Sequence, residues 1–299
     1  MKSKDPFLSQ QTSFATIATF FALWIAVYFD AVTEDYMGYL LIITIGILHG
    51  ANDIRLIRRV FTTVLPGQMN PLIPYVGMVL LTGLAFYFIP ALALMVFILL
   101  SCYHFGEQHW IDKSVKTAWP HKLFFLAYGS LIFGLLFFLN AEETLSIMEN
   151  ITAVDLHTDL LTLFFGIAVV SSIGLGIYLF LSRKMQSNWI EEIFLILVLA
   201  LVFKMASLIW AFAIYFIFWH SIPSLNDQIK LLYGENNRLN LKKYLKSSWL
   251  YYIFAVVGLV TTLYLLRNQE QLFLSIFFSF LAAITLPHVL VMMRVYKEE

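Results

Sequence analysis

An all-α bundle of about ten membrane-spanning helices is the fold class this sequence predicts, and three observations carry it. The composition is 60% hydrophobic and 17% aromatic but only 13% charged over 299 residues, with a mean hydropathy of +0.80, well outside the range of a water-soluble domain. The apolar residues gather into runs close to the roughly 20 residues that a helix needs to cross a bilayer. Lysine and arginine fall between those runs with a marked sidedness, as expected of a polytopic membrane protein. The chain therefore reads as one multi-pass domain over residues 1–299, placed in the cytoplasmic (inner) cell membrane.

Ten segments qualify as spans: 13–30, 37–56, 73–89, 90–111, 121–140, 160–182, 189–203, 207–226, 249–266 and 271–295. The first contains the run Phe14 to Tyr28, which lacks a small-residue cleavage site and leads into further runs, so it is expected to be retained. Pro90 marks the turn between the third and fourth, and only Lys204 and Ser207 interrupt the seventh and eighth. With the N-terminus inside, the inner segments hold Lys2 and Lys4; Arg55, Arg58 and Arg59; Lys113, Lys116 and Lys122; Arg183 and Lys184; Lys230, Arg238, Lys242, Lys243 and Lys246; Arg294 and Lys297. These are 17 of the 19 basic residues. The outer segments keep Lys204 and Arg267, and the longest outer loop, Ala141 to Asp159, has five acids and no base. Both termini are expected to be cytoplasmic.

Composition also excludes several classes. With 19 basic and 19 acidic residues the formal charge is zero, so no nucleic-acid partner is implied. The lone Cys102 rules out an intrachain disulfide and a thiolate metal cluster, and reads best as a small buried apolar residue.

The stretch Ile47-Leu-His-Gly-Ala-Asn-Asp-Ile-Arg-Leu56 sets a histidine and polar side chains at the end of an apolar run. An ionisable group at such depth is costly and usually functional. Asp53 follows His49 by four residues, so on a helix its carboxylate shares a face with the ring and is expected to receive one ring N–H. Taken alone, the segment also reads as a helix end with a hydrogen-bonded histidine.

Topology changes that balance. Helices two, four, eight and ten all run from outside to inside, and each carries a histidine in its last half: His49, His104, His220 and His288. Four histidines in one layer on four same-direction helices point to a shared metal site. In Ser101-Cys-Tyr-His-Phe-Gly-Glu-Gln-His-Trp110, Glu107 lies three residues after His104 and is expected to orient it. His109, at i+5, turns roughly 140° away on an ideal helix and is only a fallback ligand. In Phe218-Trp-His-Ser-Ile-Pro-Ser-Leu-Asn-Asp-Gln228, Pro223 is expected to break the helix and free carbonyls near His220. His288 stands beside Pro287 in Thr285-Leu-Pro-His-Val, while His121 and His157 fall in loops.

Neutral imidazoles without thiolates suit iron, copper, zinc or nickel, and softness does not choose among them. The clustered histidine boxes of membrane desaturases are missing, as is the lysine that an opsin carries in its last helix. A haem-bearing membrane oxidoreductase would use histidine pairs as axial ligands, usually in two layers rather than one. A transporter relaying protons or metal through the histidines would be expected to show an inverted repeat, and none is visible between the halves.

At these residues the chain resembles the Brp/Blh family of bacterial and archaeal membrane enzymes, which cleave β-carotene centrally into two retinals. The resemblance covers nearly the whole chain. It rests on Gly46-Ile-Leu-His-Gly-Ala-Asn-Asp53, Tyr103-His-Phe-Gly-Glu107, Trp219-His-Ser221 and Pro287-His288, in that order. It implies an Fe(2+)- and O2-dependent carotenoid dioxygenase with β-carotene or a related carotenoid as substrate, membrane lipid around it, and retinal supplied to a rhodopsin. It implies His49, His104 and His220 as iron ligands. Some members carry a second histidine four residues after the one in the eighth helix, where this chain has Ser224, so His288 is the candidate for the fourth ligand, with Asp53 and Glu107 as hydrogen-bond partners of the ligand histidines.

Overall fold

A computed structural model describes residues 6–60, 70–115, 118–265 and 273–298. Among these the protein is helical throughout, with one isolated antiparallel bridge between Ser114 and Met185. Every expected span coincides with a helix or a run of consecutive helices. The first is α1 (Pro6–Tyr28); the second is α2 (Ala31–Leu41), α3 (Ile47–Gly50) and α4 (Asp53–Val60); the third and fourth are α5 (Leu72–Phe88) and α6 (Pro90–Trp110); the fifth is α7 (Trp119–Leu139). After α8 (Ala141–Thr152) come α9 (Thr158–Leu181) and α10 (Trp189–Met205), then α11 (Leu208–Ile214) with α12 (Ile222–Tyr233), α13 (Arg238–Leu265) and α14 (Phe273–Glu298).

By length and composition, seven stretches can cross a membrane: Ala31–Val60, Pro90–Lys113, Trp119–Leu139, Thr158–Leu181, Leu208–Tyr233, Arg238–Leu265 and Phe273–Tyr296. Thr12–Tyr28 and Leu72–Phe88 are shorter apolar helices. Lys2, Lys4, Lys116 and Arg267, which enter the count of sidedness, lie outside the described residues.

Several boundaries differ from expectation: the first helix starts at Pro6 rather than 13 and the eighth segment continues to Tyr233 rather than 226, and three further differences have a local reason. The second segment starts at Ala31 rather than 37, because the Asp30 carboxylate accepts the Thr33 N–H at 2.8 Å and caps the helix. The acidic stretch after Ala141 is not all loop. Its first half is α8, with Glu142 and Glu143 in the favourable first turn and Leu145 and Ile147 buried. α13 starts eleven residues before the expected 249, at Arg238, because Asn240, Tyr244 and Ser248 turn one polar stripe inward.

Two π-helical segments interrupt this architecture, Ile42–Gly46 between α2 and α3 and Tyr215–Ser221 between α11 and α12. They pack against each other. Gly46 makes that approach possible, since a Cβ there would stand 2.7 Å from the Phe216 ring. A second close approach joins α6 to α7: a Cβ on Gly106 would lie 1.9 Å from the Phe125 carbonyl oxygen, and one on Gly129 would lie 1.7 Å from that of Cys102. No residue larger than glycine fits either place, so the helix that carries His104 is held in backbone contact with its neighbour.

Candidate metal centre

Each of the four histidines reaches the same place from a different element. His49 lies in α3 just after the first π segment and is 4% exposed. Its Nδ1 is hydrogen-bonded to the Gly46 carbonyl. A carbonyl only accepts, so Nδ1 carries the proton and the lone pair resides on Nε2. That Nε2 is buried and has no hydrogen-bond partner. Next to it, the Tyr244 hydroxyl lies 2.9 Å from the His49 carbonyl oxygen and 2.8 Å from Gln228 Oε1, and the Asn52 amide donates to the Tyr244 carbonyl at 3.1 Å. These bonds fasten α3 to α13 directly behind the ring.

His288, in α14, repeats the logic with a carboxylate. Its Nδ1 is 2.8 Å from Asp53 Oδ1, and the Tyr75 hydroxyl donates to Asp53 Oδ2 at 2.8 Å. Nε2 is again buried and unpartnered. His220 sits inside the second π segment, with its ring stacked on Phe105 at 3.8 Å between centroids and 11° between planes. Its Nδ1 has no hydrogen-bond partner. His104, in α6, is fully buried and neither of its ring nitrogens has one.

Ring contacts close a circuit through all four: His49 to His220 at 5.3 Å, His220 to His104 at 4.9 Å, His104 to His288 at 5.7 Å and His288 to His49 at 4.8 Å. His49, His220 and His288 are the tightest set, each offering a nitrogen within 4.8 Å of the others. His104 completes the circuit from outside that triad. The expected neighbourhood of the second and tenth spans is present, with α14 packed on α4 and a Cβ on Gly50 only 3.5 Å from His288 Nδ1.

The helical spacing misplaced both carboxylates. Asp53 holds His288, 235 residues away in the chain, rather than His49, whose Nδ1 is met by the Gly46 carbonyl. Glu107 accepts the Tyr103 hydroxyl at 2.8 Å instead of meeting His104. Pro223 does not end its helix. It stands in the first turn of α12, after seven π-helical residues, and the His220 carbonyl accepts the Gln108 side-chain amide at 3.1 Å.

The remaining polar residues are accounted for elsewhere. His109, the fallback ligand, pairs with Glu192 at 2.7 Å and lies 3.0 Å from the Lys113 ammonium. The Ser224 hydroxyl accepts the Gln228 amide at 3.1 Å. Cys102 is a buried free thiol. His121 is not in a loop: it is buried in the first turn of α7, where its Nδ1 accepts the Ala118 N–H. His157 is the residue preceding α9. The sequence reading missed Tyr75, Tyr244 and the Gly46 carbonyl. Tyr244 carries no signal of its own, since its partners at His49 and Gln228 meet it only through the fold.

Buried imidazole nitrogens without partners are costly, about 1–3 kcal/mol each when a buried acceptor or donor is left unsatisfied, and here such atoms cluster. Lone pairs on neutral imidazoles, held by Nδ1–H bonds to a carbonyl and a carboxylate, are the donor set and support that a late first-row transition metal takes. Beside them lies an apolar cavity. Phe105 and Phe216 line it while lying 3.8 and 5.7 Å from the His220 ring, and its hydroxyls are those of Ser101, Thr144 and Thr285.

Fold and cluster together describe a helical protein of membrane composition with a buried histidine cluster, three of whose members could hold a metal ion. The family follows from comparison. The family model described as "Beta-carotene 15,15'-dioxygenase" matches residues 40–296, and the chain belongs to that family of carotenoid dioxygenases, as the four motifs imply. A relative from the uncultured marine bacterium 66A03, named beta-carotene 15,15'-dioxygenase, is 22% identical over 271 residues, covering 88% of this chain and 94% of its own length. No solved structure matches. All four histidines, Asp53 and Glu107 fall inside the matched region.

Proposed function

We propose that this chain is a membrane-embedded, iron(II)- and O2-dependent dioxygenase that cleaves the central double bond of β-carotene to give two molecules of retinal. The observation that carries the reading is the juxtaposition of four buried imidazoles having unpartnered nitrogens with an aromatic-walled apolar cavity. His49, His220 and His288 hold the metal, with His104 as the fourth ligand. Iron bound there supplies activation of dioxygen, chemistry that amino-acid side chains cannot provide.

The chain's own residues do the rest. The Gly46 carbonyl and Asp53 hold the protons of His49 and His288 on Nδ1, which turns the Nε2 lone pair of each neutral ring toward the cluster. Phe105 fixes the His220 plane by stacking. Phe105 and Phe216 extend from the histidines into the cavity wall, so a polyene lying along that wall is brought beside the centre and kept from water. In the overall reaction one carbon–carbon double bond breaks, and each carbon gains one oxygen atom of the same O2, which leaves two aldehydes and consumes no external reductant. The substrate enters from membrane lipid, both chain termini face the cytoplasm, and the product is the aldehyde a rhodopsin takes up.

Expression in a β-carotene-producing bacterial host tests this directly. Loss of orange colour with retinal identified by HPLC is expected. Retained β-carotene in cells that contain the folded protein and bound iron would overturn the reaction, and apocarotenals other than retinal would overturn the central position of cleavage.

A further inference from the structure

A second cavity lies against α7, α9 and α10, and it shares no lining residue with the one beside the histidines. Its volume is about 410 Å³. Three polar atoms in its wall are buried and have no hydrogen-bond partner: the indole nitrogens of Trp110 and Trp189 and the hydroxyl of Ser172. Trp110 is fully buried and Ser172 is 6% exposed, while the two indoles lie 5.5 Å apart in a tilted pair. Ser171, one position before, bonds its hydroxyl back to the Ile167 carbonyl at 2.7 Å, but Ser172 makes no such bond.

These atoms specify a ligand chemistry. An indole N–H donates and cannot accept, so two unpartnered ones in one cavity wall call for an acceptor oxygen. Glu192, the carboxylate in the same wall, is already met by the Lys113 ammonium at 2.6 Å, His109 at 2.7 Å and the Ser187 hydroxyl at 2.8 Å. The wall therefore has no use for a cation, and an anion placed at the indoles would face that carboxylate. A neutral carbonyl oxygen fits. Around it the surface is apolar and outward: Ile177 and Phe180, at the last turns of α9, are 55% and 51% exposed. The loop that joins α9 to α10 at this end carries Arg183 and Lys184.

We propose that this cavity is a binding site for a membrane glycerophospholipid. An ester carbonyl of the lipid accepts from Trp110 and Trp189, an acyl chain lies along α9 and α10, and the phosphate meets the cations of the 182–188 loop. The site rests on the membrane placement proposed above and is independent of the metal and of carotenoid cleavage.

The experiment uses the full chain, exchanged into mixed micelles with either a diacyl phosphatidylglycerol or its diether analogue of identical headgroup and chain length, and reads retained lipid by native mass spectrometry. The diacyl form should be retained roughly tenfold better, the factor expected from losing a hydrogen-bonded carbonyl. Trp189→Phe, at the rim, should erase the preference while helix content and bound metal stay unchanged. Equal retention of the two lipids, or an undiminished preference in Trp189→Phe, would overturn the site. So would all-trans-retinal displacing the diacyl lipid in a Trp189-dependent way, because the carbonyl would then belong to an aldehyde. Retinal formation that fails while the lipid preference persists would overturn the proposed reaction and leave this site standing.

Discussion

Helix α6 carries two histidines five residues apart, and they enter opposite kinds of surroundings. His109 sits in a closed polar knot in which Glu192 Oε2 is 2.7 Å away, the Lys113 ammonium 3.0 Å away, and the Tyr128 ring is stacked at 4.9 Å. His104 sits among three other imidazoles with neither of its nitrogens partnered. His104 is fully buried and His109 largely so, and both are histidines near the end of an apolar helix. The difference is one of satisfaction. A buried polar group whose valences are met within the protein stabilises that protein, whereas several buried nitrogens without protein partners, gathered in one place, are the arrangement a shared ligand would use. The 140° between i and i+5 on a helix is what allows one element to serve both.

The largest effects should separate the two regions completely. His49→Ala, His220→Ala and His288→Ala are each expected to abolish retinal formation and to strip bound iron, because losing one ligand from a small imidazole set removes most metal affinity. His104→Ala should do the same to activity while leaving some iron on the triad. His109→Gln should change neither iron content nor turnover, and its cost should appear instead as a lower melting temperature, since the paired Glu192 loses a partner. Metal analysis and HPLC of pigments measure all of these. Iron loss in His109→Gln equal to that in His49→Ala would erase the distinction between the two clusters.

That distinction was partly legible in the sequence. The helical character of the apolar segments and the meeting of His49, His104, His220 and His288 followed from period, length and charge sidedness, and all four rings do meet, whereas seven stretches rather than ten are long and apolar enough to cross a membrane among the described residues. The hydrogen-bond partners did not follow. Helical spacing pairs Asp53 with His49 only if the helix is regular between them, and the π segment Ile42–Gly46 together with the turn at Ala51 and Asn52 changes the geometry at that point. Nothing in residues 42–46 announces a π register, and the close packing of Gly46 on Phe216 joins it to an element 170 positions away in the chain. Tyr75 and Tyr244 were invisible for the same reason: a tyrosine in an apolar helix is ordinary until the fold brings a carboxylate or a carbonyl to its hydroxyl.

An intermediate effect probes the corrected pairing. Asp53→Asn should lower iron affinity by roughly 10- to 100-fold, the usual cost of losing an outer partner of a ligand histidine. The loss should act through His288 alone. In the ferrous protein or a cobalt-substituted form, resonances of the His288 ring should shift on Asp53→Asn while those of His49, whose proton goes to the Gly46 carbonyl, stay in place. Shifted His49 signals with unmoved His288 signals would restore the i+4 pairing that the helix spacing first implied.

The smallest expected effect lies one bond further out, at Tyr75. Its hydroxyl donates to Asp53 Oδ2 at 2.8 Å while Oδ1 faces His288 Nδ1 at 2.8 Å, so the tyrosine can act on the histidine cluster only by orienting that carboxylate. A hydrogen bond to an ionised carboxylate contributes about 1.5–3 kcal/mol, but most of that appears as local stability, because Asp53 is buried and still holds His288 after the hydroxyl is gone. Tyr75→Phe should therefore weaken iron binding by less than Asp53→Asn does, at most about tenfold, with the His288 pairing preserved. The decisive measurement is the double variant. If Tyr75 works through Asp53, adding Tyr75→Phe to Asp53→Asn should cost almost nothing further in iron affinity, because the second change removes a support whose load is already gone. Fully additive losses would mean that Tyr75 touches the centre by another route and that the chain of contacts from tyrosine to carboxylate to imidazole is not how α5 supports the site.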